Sequence, residues 1–185
     1  MSAVKMTKPL AHPYILGRLP LWPPPRYYTE RMSIAQIWQT ESSNLEDTLQ
    51  LAEQIGRRLK GGEVIELISD LGGGKTSFVR GLAKGLGSND IVHSPSFTIS
   101  NQYQAGKLTL HHLDFYRLDE PGLIKDEVAE ILTNPNNIVV VEWAGIIKDI
   151  LPTHCLSIYI KPTGETARSL TFEYPKTLKY LIPNS

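Results

Sequence analysis

The sequence predicts a layered α/β fold built on a sheet with both parallel and antiparallel strands. Three observations carry this expectation. The apolar run Val64 to Ile68 enters a glycine-rich turn, and a helix-like stretch, FVRGLAKGL, leaves it. Two partly alternating segments flank Ala105 to Lys107 in the manner of a β-hairpin. Ile138 to Val141 is four β-branched residues without interruption, the mark of a strand buried on both faces.

In chain order, Ser43, Asn44, Leu45 and Glu46 read as a capping box. Leu45, Leu49, Ala52, Ile55 and Leu59 follow at helical spacing, which predicts a first helix over about Ser43 to Lys60. Gly61 and Gly62 end it, and the strand, turn and second helix come next, giving an αβα beginning. After Gly85 and Gly87, the segment HSPSF cannot be helical at Pro95. Phe97 to Tyr103 and Leu108 to Asp114 are the predicted hairpin strands. A helix is expected over Pro121 to Leu132, because Pro121 suits a first turn and Leu123, Val128, Ile131 and Leu132 form an apolar stripe. Asn134 to Asn137 is a turn, the strand Ile138 to Val141 follows, and Cys155 to Ile160 reads as another strand.

At 185 residues with 41% hydrophobic content, the chain suits one domain with a sizeable core. Lysine plus arginine equals aspartate plus glutamate at 19 each, so no global field recruits nucleic acid or an anionic membrane. Residues 1–31 carry five cations against Glu30 alone, a net of +4, and hold six of the 13 prolines. They are expected to form a disordered Pro-rich extension, with Met32 as an alternative start. Residues 32–175 would be the domain and 176–185 a C-terminal tail. Cys155 is the only cysteine, which excludes a disulfide framework or a cysteine zinc cluster and fits a reducing compartment. No stretch approaches the roughly 18 apolar residues of a membrane helix, so a soluble, cytoplasmic protein is expected.

The turn carries the chemistry. Residues Ser69 to Thr76 read SDLGGGKT: three glycines without Cβ let the backbone curl and aim N–H groups at one anion. Lys75 supplies a charge for β and γ phosphates, the Thr76 hydroxyl suits Mg²⁺, and the new helix turns its positive end toward the same anion. Flanked by a strand and a helix, this is the context of a P-loop, and the expected architecture becomes a P-loop NTPase-like three-layer fold with a mixed parallel/antiparallel sheet. The pattern wants glycine at its first position, where this chain has Ser69.

Glu142 ends the buried strand, where a carboxylate can organise magnesium and water beside a γ-phosphate. Trp143 either covers a nucleotide or plugs the core. Asp114 ends another strand and is a second candidate for metal, water or base work. Arg117 either stabilises phosphate charge or forms a surface ion pair. His111 and His112 fall on opposite strand faces and cannot both ligate one metal. The hydroxyls of Ser94, Ser96 and Thr98 belong either to a switch-like loop or to a proline-bent connector.

With SDLGGGKTSFVRGL, HSPSFTISNQY, HHLDFYRL and VVVEWAG in this order and spacing, the chain resembles the TsaE (YjeE) family of bacterial P-loop ATPases over about residues 40–160. It departs from the common family pattern at Ser69, Gly73, Ser96, Leu113 and Gly145. The resemblance implies an ATPase needed for N6-threonylcarbamoyladenosine at position 37 of ANN-decoding tRNAs, working with TsaD and TsaB and meeting tRNA only through that complex. It also implies ATP and Mg²⁺ as ligands, with nucleotide contacts from Asp70, Leu71, Gly72, Gly73, Gly74, Lys75, Thr76, Ser77 and Trp143. Thr76 and Glu142 would hold the metal, and Asp114 and Glu142 would be the catalytic carboxylates. Two rivals use the same loop: a small-molecule kinase, though no arginine-rich lid follows Arg117, and a module in which nucleotide only orders a partner-docking segment.

Overall fold

A computed structural model describes residues 36–120 and 122–183. The proline-rich extension, the Met32 start and Pro121 lie outside the described residues. Seven strands form one sheet: β1 (Gln36–Ser42), β2 (Val64–Ile68), β3 (Ser100–Ala105), β4 (Leu108–Asp114), β5 (Asn137–Glu142), β6 (Leu156–Pro162) and β7 (Arg168–Tyr174), in spatial order β1-β7-β6-β2-β5-β4-β3. The central four, β6, β2, β5 and β4, run parallel, and β3, β7 and β1 add antiparallel pairs at the flanks. The expected mixed sheet is present.

Among the described residues three α-helices cover it: α1 (Leu45–Gly56), α2 (Lys75–Leu86) and α3 (Ile124–Thr133). One face carries α1 and α2, whose Ala52, Ile55, Phe78, Val79 and Leu82 share a core with Ile65, Leu67, Ile138, Val140 and Ile158. The other face carries α3 and a 3-10 turn, Ala144–Ile147, with Val128 and Ile147 packed among Val64, Val139, Val141 and Leu113. Alternate residues of β2 and β5 thus serve opposite cores, which is why β5 shows no apolar-to-polar alternation and reads as a continuous apolar run. Gly81 and Gly85 let α2 lie directly on α1: a Cβ at Gly85 would come 2.1 Å from the Glu53 carbonyl oxygen.

The structure corrects the sequence reading in several places. Among the described residues the first element is a strand, not a helix. β1 is an edge strand whose polar, alternating residues pair with β7, Gln39 meeting Thr171 across 132 positions, so its pattern is weak and its partner distant. Helix α1 is capped one residue later than expected: Asn44 Oδ1 accepts from the Asp47 N–H at 2.9 Å, while Asp47 Oδ2 accepts from the Ser43 N–H. It stops at Gly56, although Leu59 remains buried. Helix α3 starts at Ile124, leaving Leu123 exposed, and the first hairpin strand starts at Ser100 instead of Phe97.

Residues 176–183, set apart as a tail by sequence, turn back on the sheet through a 3-10 helix, Lys176–Leu181. They seat Leu178, Leu181 and Ile182 in the α1/α2 core. Tyr180 Oη donates to Glu63 Oε1 at 2.7 Å, which ties this segment to the residue just before β2. Cys155 is buried in the opposite core. No helix among the described residues is long and apolar enough to cross a membrane.

Candidate functional site

The parallel centre of the sheet decides where chemistry gathers. β2, β5 and β4 lie side by side and end together, with Leu67 opposite Glu142 and Glu142 opposite Asp114. The turn Ser69 to Gly74 leaves β2 at this edge and feeds α2, as ligand crevices in open α/β sheets require. Gly72 and Gly74 have φ of 74° and 110°, a conformation that costs glycine nothing and strains other residues. Gly73 between them lies outside the left-handed region. Leu71 is 62% exposed at the crest of the turn, and Asp70 is exposed beside it.

Lys75 is 7% exposed. Its Nζ donates to the carbonyl oxygens of Ser69 and Asp70 at 3.1 Å each and stands 3.6 Å from Glu142 Oε2. The loop lysine and the strand-end glutamate, far apart in sequence, therefore meet. The Trp143 ring centroid is 5.3 Å from the same ammonium, within reach of a cation–π interaction. Trp143 takes φ of 56°, an outlier for a bulky residue, directly after Glu142. That left-handed turn breaks β5 there, and the indole also lies 5.0 Å from the Tyr116 ring. Trp143 is partly buried against the core on the α3 side and at the same time stands beside the loop lysine, so the geometry is compatible with both roles open to it from sequence.

Glu142 is held on its other oxygen by His112, whose Nε2 is 2.8 Å from Oε1. Asp114 is held twice: Ser96 Oγ donates to Oδ2, and the Tyr116 N–H donates to Oδ1 at 3.0 Å. The SPSF segment is therefore tied to a candidate catalytic carboxylate, and Ser94 shares a hydrogen bond of 2.9 Å with Ser96. Thr98 turns elsewhere, to the Pro95 carbonyl and Asn101. Arg117 stacks on the Phe97 ring, 4.1 Å from its centroid. His111 faces away from this site, as strand alternation expects, and burial holds its pKa below the ordinary value.

Two contributors escape sequence reasoning. Arg168, at the start of β7, donates through Nε to the Gly73 carbonyl at 3.0 Å and so pins the loop from across the sheet. Nothing in its sequence surroundings marks it, since the contact spans 95 positions. His112 did carry a signal: it sits two residues before Asp114, hence on the same face of β4. Ser69 Oγ is buried without a hydrogen-bond partner, alongside Nδ1 of His111 and His112 and the side-chain oxygen of Gln36, among the described residues. A buried hydroxyl left unpaired costs about 1–3 kcal/mol, so its position calls for a reason.

Comparison with known proteins agrees with this fold. A family model described as "Threonylcarbamoyl adenosine biosynthesis protein TsaE" matches residues 42–170. The chain is 39% identical over 135 residues to the tRNA threonylcarbamoyladenosine biosynthesis protein TsaE of Bacillus subtilis, covering 73% of this chain and 83% of that one. It is 35% identical over 130 residues to the protein of the same name in Treponema pallidum, covering 70% and 96%. Among solved structures it is similar to the crystal structure of Bacillus subtilis YdiB, with a TM-score of 0.65 and 35% identity over 78% of this chain and 89% of that one.

Proposed function

The chain belongs to the TsaE family, and from that membership we propose that it is an Mg²⁺-dependent ATPase. In this reading it is required for N6-threonylcarbamoyladenosine formation at position 37 of ANN-decoding tRNAs. It acts in the cytoplasm with TsaD and TsaB and meets tRNA through them. One observation carries the ATPase reading: the buried Lys75 ammonium joins the loop carbonyls of Ser69 and Asp70 to the strand-end carboxylate of Glu142. A cation in that position is ready to exchange neutral carbonyl partners for phosphate oxygens.

The donor set also suits magnesium. No group of three or more His, Cys, Asp or Glu side chains among the described residues is arranged to hold a metal. The Thr76 hydroxyl and Glu142 are hard oxygen donors of the kind that bind Mg²⁺ together with substrate phosphates. When bound, the ion would neutralise charge on the β and γ phosphates. Backbone N–H groups from Asp70 to Ser77 would surround the phosphates, and Trp143 would close one side. Asp114, fixed by Ser96 and Tyr116, would orient the attacking water and take its proton as the bond between the γ-phosphorus and the β-bridging oxygen breaks.

The test is phosphate release and tRNA modification by the full chain with TsaD, TsaB and ANN-decoding tRNA, comparing wild type with Lys75→Ala and Glu142→Ala. Both variants should lose modification. Equal modification by Lys75→Ala would defeat the reading, and phosphate transfer to a metabolite instead of water would replace it with a kinase.

A further inference from the structure

Ser69 and Gly73, the first and fifth residues of the loop, contend for one space. Gly73 is buried, and unlike Gly72 and Gly74 its backbone lies where an L side chain is allowed. What opposes a side chain there is contact, chiefly with Ser69. A Cβ at Gly73 would lie 1.7 Å from Ser69 Oγ, 3.0 Å from Ser69 Cβ and 3.1 Å from the Asp70 carbonyl oxygen. Rotating the Ser69 hydroxyl away would remove the first contact and leave the second, a tight carbon–carbon approach that Ser69 would have to relieve by shifting a few tenths of an ångström.

Ser69 Oγ has no hydrogen-bond partner, so the hydroxyl is not held there by a polar contact. What it supplies at that point is volume. We propose that Ser69 is a positioning residue of the nucleotide loop: its side chain fills, from the strand side, the space that Gly73 leaves, and so keeps the loop curled. The proposal rests on the phosphate-binding reading of the loop. Three contacts make the fit matter. Lys75 Nζ is held by the carbonyls of Ser69 and Asp70, and Arg168 holds the carbonyl of Gly73. A shift at either residue moves the lysine's anchors or the loop's crest.

The consequence runs against the motif. Changing Ser69 to the glycine that the P-loop pattern prefers empties the space and loosens the turn, so it does not improve the enzyme. Filling position 73 while Ser69 remains crowds it. Doing both exchanges which residue supplies the volume.

The experiment is a double-mutant cycle on the full chain, reading MgATP affinity, the KM and kcat of phosphate release with TsaD and TsaB, and the melting temperature without nucleotide. Ser69→Gly and Gly73→Ala should each weaken MgATP binding and raise KM by roughly tenfold, with kcat moved less. The combined Ser69→Gly/Gly73→Ala protein should recover most of both losses. Ser69→Ala should cost less than Ser69→Gly because it keeps Cβ, and Ser69→Ala/Gly73→Ala should fall between Gly73→Ala and the recovered double. Additive losses would overturn the proposal, as would Ser69→Ala weakening binding as much as Ser69→Gly, or Ser69→Gly turning over faster than wild type. If wild-type protein bound no MgATP, the nucleotide reading would fail. The melting-temperature cycle would then decide the pair by itself: recovery in the double supports shared volume, and additive losses refute it.

Discussion

His112 places Nε2 2.8 Å from Glu142 Oε1, and both side chains are buried. On the parallel pair β4 and β5, His112 stands opposite Val140, one same-face step before the rung formed by Asp114 and Glu142. With Glu142 ionised, the contact needs a proton on His112 Nε2. The histidine then fixes one carboxylate oxygen and leaves the other facing Lys75.

Removing that support should slow the chemistry more than it weakens nucleotide binding. His112→Ala is expected to lower kcat for phosphate release by about 10- to 100-fold and to raise the Mg²⁺ concentration needed for half activity, as loss of such an outer hydrogen bond does at metal sites. His112→Gln, which keeps an N–H donor, should recover part of the loss. Steady-state kinetics across a magnesium titration checks both.

Arg168 should matter to the nucleotide and little to the fold. Its guanidinium donates to the Gly73 carbonyl and, through Nη1, to the Ala167 carbonyl at 2.8 Å. Arg168→Ala is expected to raise the KM for ATP by roughly tenfold by letting the loop shift. Arg168→Lys should repair little of it, since one ammonium cannot span the same fork. Calorimetric titration with MgATP gives the affinities directly.

The crossing of α1 and α2 is set by glycine. A Cβ at Gly85 would meet the Glu53 carbonyl oxygen at 2.1 Å and the Arg57 nitrogen at 2.9 Å, both backbone atoms that cannot rotate aside. Gly85→Ala should therefore destabilise the protein by about 1–3 kcal/mol, although alanine favours a helix over glycine by about 1 kcal/mol. Thermal or urea unfolding measures the difference.

Burial, chiefly, holds the His111 pKa below its ordinary 6.5, against smaller upward contributions from Asn137 and Glu127. The folded protein therefore resists protonating this ring while the unfolded chain accepts the proton. Stability from the neutral ring is complete above about pH 6.5 and is lost as pH falls below it toward the folded pKa. His111→Gln should flatten that part of the profile. Urea midpoints of wild type and variant, compared from mildly alkaline to mildly acidic pH, check the sign.

The loop, the buried run of β5, the hairpin and the strand-end carboxylates were legible because each is a local pattern. Glycines, a lysine and a hydroxyl in succession, or β-branched residues without a break, state their own requirement. The edge strand β1 was not legible, because its alternation is mostly polar and its stability comes from β7. Nor was Trp143's turn, since a left-handed tryptophan is imposed by packing and not by propensity.

The sequence by itself determined that a glycine-rich turn ending in a lysine and a hydroxyl sits between a strand and a helix, and that carboxylates end two other strands. Only the tertiary structure decided that Glu142 faces Lys75, that His112 supports it, that Arg168 reaches Gly73 and that Ser69 takes up the space beside that glycine. The reason is physical. Burial periodicity is written along the chain, but which strands become neighbours, and in what register, is fixed by how the helices pack on the two faces of the sheet.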